Sequence, residues 1–287
     1  QQYILKLGII FLGIRLSFAD FIKFGSVAIP LVIFCILGVL ILIKLLIKKV
    51  PISSKMSYLI AIGTSVCGAT AIVATAPVIN AKKTEVAYAI ANITLFGVIA
   101  MLVYPYFAEW YFDNNALEAG LFLGTSIHET SQVAAAGLIY DQQFNNPETL
   151  DVATVTKLIR NTFLVILIPL FAFLYNRGEF SDKKYSILSI FPYFVIGFIG
   201  MIIVRNIGDQ LFTVENDNFY AWSKFIEYLK ISTTVFLTMA MAAVGISINI
   251  NELKSMGYKP FIVGLIAAVT VGIISLIYIE TLKNFLS

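Results

Sequence analysis

Charge is scarce in this chain. Only 13% of its 287 residues are Asp, Glu, Lys or Arg, about half the share of an ordinary soluble domain, while 59% are hydrophobic. Such a composition excludes a typical soluble protein. With a net charge of only +3 and no basic run, it also gives no grip for a nucleic acid. Histidine occurs once, as His128, and cysteine twice, as Cys35 and Cys67, both within apolar segments. That scarcity argues against a disulfide framework and against a cluster of metal ligands. Glycine-rich phosphate-binding motifs, a Ser-His-Asp spacing and a filter-like carbonyl motif are all missing. We therefore expect no enzyme chemistry and no cofactor, and no cleavable signal peptide is visible.

What is present is length without charge. Stretches 27–47, 86–107, 161–175, 185–204, 231–248 and 260–279 approach or reach the roughly 20 apolar residues that a spanning helix requires. The expectation is an all-α polytopic membrane protein with the lipid bilayer as its surroundings. The chain starts at Gln1 rather than Met, so a preceding N-terminal piece is expected.

Loop charge orients the spans. Basic residues gather at Lys44, Lys48, Lys49 and Lys55, at Lys82 and Lys83, at Arg177, Lys183 and Lys184, and at Lys254 and Lys259. Acidic and neutral polar residues dominate 109–115, 140–151 and 208–218. The first group is assigned to the cytoplasm and the second to the outside. Segment 57–79 then has both ends cytoplasmic, and segment 116–139 has both ends external. Half of such a segment, about ten residues, rises roughly 15 Å as a helix, half of a hydrocarbon core. Two readings remain: re-entrant hairpins entering from opposite faces, or spanning helices interrupted at glycine. Both put irregular backbone near the midplane, where only protein or a water-filled cavity can satisfy it.

The interruptions resemble each other. Laying Gly63 over Gly124 aligns GTSVCGATAIVATA with GTSIHETSQVAAAG, and EVA at 85–87 and DVA at 151–153 each open a following span. A broken segment plus a span is thus used twice, the second copy upside down by its charges. A looser pair lies at the chain ends, residues 13–25 against 245–257. Inverted repeats with broken midplane helices are the signature of secondary transporters.

At each break a helix starts near the midplane, presenting free N–H groups and the positive end of its dipole. Thr64, Ser65, Thr125 and Ser126 can cap those starts or donate hydroxyls to a ligand, or can merely satisfy local backbone. Gly63, Gly68 and Gly124 permit close backbone approach. Together these residues form a candidate site for a small oxyanion. His128 and Glu129 are ionisable residues within an apolar segment, which points to ligand binding or proton coupling; alternatively Glu129 pairs with Lys157 or Arg160 for structure. Lys157 and Arg160 share one helix face. Arg160 suits bidentate oxyanion recognition, with snorkelling to the interface as the alternative. Asn92 and Thr94 are weaker candidates in the equivalent first-repeat helix.

The motifs GTSVCGATAIVATAPVI and GTSIHETSQVAAAG, followed by TKLIRN, resemble those of the YeiH-like family of bacterial membrane proteins, labelled as sulfate exporters with some members associated with sulfonate export. The resemblance covers nearly the whole chain and implies about two spans before Gln1. It is also distantly similar to inverted-repeat antiporters and anion symporters with elevator movement. It carries onto Gly63, Thr64, Ser65, Cys67 and Gly68, onto Gly124, Thr125, Ser126, His128, Glu129 and Gln132, and onto Lys157 and Arg160.

The expectation is therefore an elevator-type secondary transporter of a sulfate- or sulfonate-class anion in the bacterial cytoplasmic membrane. Its transport core would be 57–175, set in scaffold spans 1–56 and 176–287. H+ or Na+ would serve as coupling ion, with His128, Glu129 and Lys157 as coupling or substrate residues, and the protein would assemble as a homodimer. A non-transporting sensor or assembly subunit and an anion channel are the rival readings.

Overall fold

A computed structural model describes residues 2–15, 18–47, 49–178, 193–213, 218–246 and 257–286. Every regular element among them is helical: α1 (Gln2–Leu12), a 3-10 turn (Gly13–Arg15), α2 (Phe18–Ile47), α3 (Ser54–Ser65), α4 (Ala69–Thr75), α5 (Lys83–Phe112), α6 (Ala116–Ser126), α7 (Thr130–Phe144), α8 (Pro147–Thr162), α9 (Leu164–Gly178), α10 (Tyr193–Leu211), α11 (Phe219–Ile246) and α12 (Lys259–Leu286). Four stretches among these residues are long and apolar enough to cross a membrane: Phe24–Leu46, Lys83–Phe112, Pro147–Phe171 and Lys259–Leu282. Their outward side chains are apolar, for example Phe34 and Ile41 on α2, Ile99 and Leu102 on α5, and Val269 and Ile273 on α12. That is the reverse of a soluble helix, and it suits a solvent in which backbone polar groups must be satisfied within the helix. The expected spans 185–204 and 231–248, the basic residues Lys183, Lys184 and Lys254, and most of 245–257 lie wholly or partly outside the described residues.

By internal contacts the chain forms two units, Gln1–Lys23 with Val165–Ile248 and Phe24–Leu164 with Asn249–Ser287. In the first, the 3-10 turn lies against α10: a Cβ on Gly13 would sit 2.3 Å from the Phe198 carbonyl oxygen. Arg205 donates to Asp209 at 2.6 Å and to the Ile14 carbonyl at 3.3 Å, and the Trp222 indole N–H donates to Asp209 at 3.0 Å.

The second unit holds both interrupted segments, and each turns back on itself. Helix α3 starts at N-cap Ser53, whose hydroxyl accepts from the Met56 N–H at 3.1 Å and donates to Glu85 at 2.5 Å, near the start of α5. After α4 the chain is back at the same level, where Lys55 donates to the Asn80 carbonyl at 2.7 Å. The other segment starts at N-cap Asn115, which accepts from the Glu118 N–H at 3.1 Å. It returns through α7 so that Asn146 donates to the carbonyl of Asn114 at 2.9 Å. A straight path from 116 to 144 would carry those ends some 40 Å apart. Close contacts follow the turn: Gly120 and Gly124 of α6 meet Val152 and Thr156 of α8 in rising order, whereas α7 runs back, with Thr130 at Asn161 and Gly137 at Leu150.

The two turned-back segments start at opposite ends of α5. Glu85 meets the base of the first. At the other end Glu109 accepts from the Tyr140 hydroxyl at 2.6 Å, and the Phe112 ring lies 5.9 Å from that of Phe122, at the base of the second. Glu85 and Phe112 are 27 residues apart on α5, roughly 40 Å, so these levels are well separated. Helix α12 runs beside α5, its Pro260 carbonyl accepting from Asn92 at 2.8 Å and its Ser275 hydroxyl 2.7 Å from that of Thr125. Helix α2 packs on its other side, where a Cβ on Gly38 would press on Ile274 and the Phe34 ring lies 5.2 Å from that of Tyr278.

Candidate functional site where the two breaks meet

The breaks fall at 66–68 and 127–129, within the Gly-Thr-Ser motifs. Gly68 supplies the first turn, with φ +66° and ψ −127°, a conformation an L side chain rarely adopts. A Cβ there would also sit 2.7 Å from Glu129 Cγ, so the two tips touch. A helix that ends inside the protein leaves its last carbonyls without partners and carries the negative end of its dipole. Both α3 and α6 end this way, at one place.

Lys157 and Arg160 satisfy those ends. From one face of α8 the Lys157 ammonium donates to the Val66 carbonyl at 2.7 Å and to the Ile127 carbonyl at 2.9 Å. The Arg160 guanidinium donates through Nε to the Ser65 carbonyl at 2.8 Å, and through its terminal nitrogens to the carbonyls of Thr125 and Thr64. Each cation thus bridges the C-terminal end of α3 to that of α6. They are 0% and 1% exposed, so neither snorkels. Among the described residues neither lies within ion-pair distance of a carboxylate; Glu129 instead accepts a hydrogen bond from the Thr94 hydroxyl at 2.9 Å. The pairing of Glu129 with Lys157 or Arg160, weighed from sequence, is therefore not formed.

The motif side chains divide into committed and spare groups. Thr125 is committed, donating to its own helix at 2.7 Å and meeting Ser275. Gln132 is committed, accepting from the Glu129 N–H at 3.3 Å and donating to the Thr94 carbonyl at 3.2 Å. It reaches α5 because Gly97 has no Cβ, which would sit 2.0 Å from Gln132 Oε1. Gly63 lets α3 pack on Ile72 and Ile93, and Gly124 lets α6 lie on the Ala153 carbonyl and Thr156, the close helix approach typical of small residues in membrane proteins. Cys67 is buried and unoxidised. Asn92 points away from the breaks to α12.

Spare are the hydroxyls of Thr64, Ser65 and Ser126 and both ring nitrogens of His128, all buried and without a hydrogen-bond partner. Native proteins leave few buried polar atoms unpaired, because each stranded group forfeits about 1–3 kcal/mol. Here four such residues stand on consecutive or near-consecutive positions at the two helix ends that Arg160 and Lys157 bridge. Buried cations beside spare O–H groups and ring nitrogens are the chemistry that recognises a small oxyanion. Among the described residues no group of three or more His, Cys, Asp and Glu is placed to hold a metal.

Sequence reasoning underrated Thr94 and missed Ser275, Gly97 and the Asn161–Thr130 hydrogen bond of 3.1 Å. A lone serine in the run VGIISLIYIE was a usable signal, since an isolated hydroxyl in an apolar span usually has a partner.

A family model described as conserved hypothetical protein 698 matches residues 1–264. The UPF0324 membrane protein FN0533 of Fusobacterium nucleatum is 35% identical over 283 residues, covering 96% of this chain and 81% of that protein. The UPF0324 membrane protein SAG1125 of Streptococcus agalactiae is 32% identical over 278 residues, covering 96% of this chain and 78% of that protein. A UPF0324 membrane protein of Clostridium tetani is 29% identical over 296 residues, covering 98% and 81%. No solved structure matches.

Proposed function

This chain belongs to the UPF0324 family of membrane proteins, and on that premise we propose that it is a secondary transporter of a small anion bound where the two breaks meet. One observation carries the reading. Two buried cations, neither paired with a carboxylate among the described residues, stand beside buried hydroxyls of Ser65, Thr64 and Ser126 that have no partner there. Arg160 and Lys157 hold the helix ends in place, and the hydroxyls with His128 contact the ligand. Ser65, Ser126, Thr64 and His128 are thus the binding residues, and Arg160 and Lys157 the positioning residues that set their spacing.

The two hairpin-plus-span units, α3–α5 and α6–α8, start from opposite ends of α5 and suit an inverted repeat. That arrangement supports a reading as re-entrant hairpins in an elevator-type carrier with a mobile core. The resemblance to the YeiH-like family favours sulfate or an organosulfonate, moved outward across the bacterial cytoplasmic membrane by a multi-pass homodimer. No chemistry is performed on the substrate; H+ or Na+ supplies the energy, with His128 and Glu129 as the groups placed to sense it.

Counterflow of labelled sulfate and a short sulfonate in liposomes tests the reading. Saturable exchange that Ser65→Ala and Ser126→Ala weaken is the expected outcome. Unsaturable flux at channel-like rates, or no flux with tight binding of a partner protein, would replace carrier by channel or by sensor.

A further inference from the structure

Taking the crossing as an anion site, we propose that Glu129 is that site's resident anion. Its carboxylate and a bound substrate oxyanion exclude one another, so substrate enters as Glu129 takes up a proton. The position is specific. Glu129 is the N-cap of α7, so its side chain stands at the positive end of that fifteen-residue helix. Its Cγ lies against Gly68 at the tip of the other segment, where any Cβ would collide with it. Its Oε1 is held by the Thr94 hydroxyl of α5 at 2.9 Å. Among the described residues, Glu129 is thus the carboxylate at the contact of the two tips. Buried Ser126 and His128, without partners among the described residues, lie three and one positions before it in the chain.

Charge balance gives the reason for exchange. Lys157 and Arg160 face the crossing from α8, His128 belongs to the same tip as Glu129, Cys67 faces it from the other, and α5 presents only Thr94. Two cations and the N-terminal end of α7 are opposed by two helix C-terminal ends of roughly half a charge each and by Glu129. With Glu129 ionised the positive charge of the crossing is largely offset. Protonation raises it by one and converts an acceptor into an O–H donor, so a dianion is held where the carboxylate competed with it. One proton then accompanies each anion. A divalent anion leaving with one proton still carries one net negative charge outward, which an inside-negative membrane potential favours.

The test is calorimetric binding of sulfate to the purified full chain over a pH series, for wild type, Glu129→Gln and Thr94→Val. Wild-type affinity is expected to rise as the pH is lowered, by up to about tenfold per pH unit. Glu129→Gln should bind at the tightest wild-type level at every pH. Thr94→Val, which frees the carboxylate, should bind several-fold tighter while keeping the slope, and serves if the glutamine variant folds poorly. Sulfate binding whose pH slope survives Glu129→Gln, or which Thr94→Val weakens, overturns the competition and leaves the anion site standing. Failure of wild type and both variants to bind sulfate or a sulfonate at any pH overturns the anion site and the competition together.

Discussion

Asn146 donates through its side-chain amide to the backbone carbonyl of Asn114 at 2.9 Å and to its side-chain oxygen at 2.8 Å, joining the two ends of the α6–α7 segment. A segment whose ends are tied at one level cannot cross a membrane. Its two ends share one side, and Ser53–Glu85 sets the ends of α3–α4 at the far end of α5.

Labelling follows from that relationship. In a background lacking Cys35 and Cys67, cysteines at the exposed positions Leu117 and Gln143 should react with an impermeant reagent from one side. Cysteines at Ser54 and Lys83, also exposed, should react from the other. By loop charge the first pair is external and the second cytoplasmic. Reaction of Leu117 and Gln143 from opposite sides would rule out the turned-back geometry.

Arg160→Met should destabilise the protein more than any change to the motif hydroxyls. It strands the carbonyls of Ser65, Thr64 and Thr125 in the interior. Each such loss is worth about 1–3 kcal/mol, so the total is on the order of 3 kcal/mol or more. Arg160→Lys should rescue little, because an ammonium is a point donor and cannot fork across three carbonyls. Thermal unfolding in detergent reads both, and a normal melting temperature for Arg160→Met would show that the carbonyls find other partners.

Ser65→Ala and Ser126→Ala should behave in the opposite way. Their hydroxyls have no partner among the described residues, and burying each unpaired costs about 1–3 kcal/mol, so the variants should unfold no more easily than wild type. A ligand bond of roughly 1.5–3 kcal/mol would be lost in each, weakening sulfate or sulfonate binding about ten- to a hundredfold. Calorimetry on the two variants decides. Unchanged binding in both would take the hydroxyls out of the site.

Thr125 and Ser275 predict which helices move together. Their hydroxyls are 2.7 Å apart and fully buried, tying α12 to α6. Cysteines at both positions should cross-link readily under oxidation, and the cross-linked protein should exchange anions at the wild-type rate. Reversible loss of transport on cross-linking would mean that α12 slides against the hairpin during the cycle.

Much of this was legible in the residues. Long apolar runs without charge dictate helices, because lipid leaves no other partner for the backbone. Gly-Thr-Ser interruptions marked both breaks, found at 66–68 and 127–129 within the expected 63–70 and 124–132. The three-residue spacing of Lys157 and Arg160 placed them on one face, and the sign of loop charge separated the two segment bases. What those cations touch was not legible. Every residue carries the same carbonyl, so no letter of the sequence marks the five that lose their helical partners at Thr64, Ser65, Val66, Thr125 and Ile127. Tertiary structure decided that by ending α3 and α6 at one place, where dipole ends and unpaired oxygens draw two cations from α8. The same packing set Glu129 beside the Thr94 hydroxyl, while both cations donate to carbonyls.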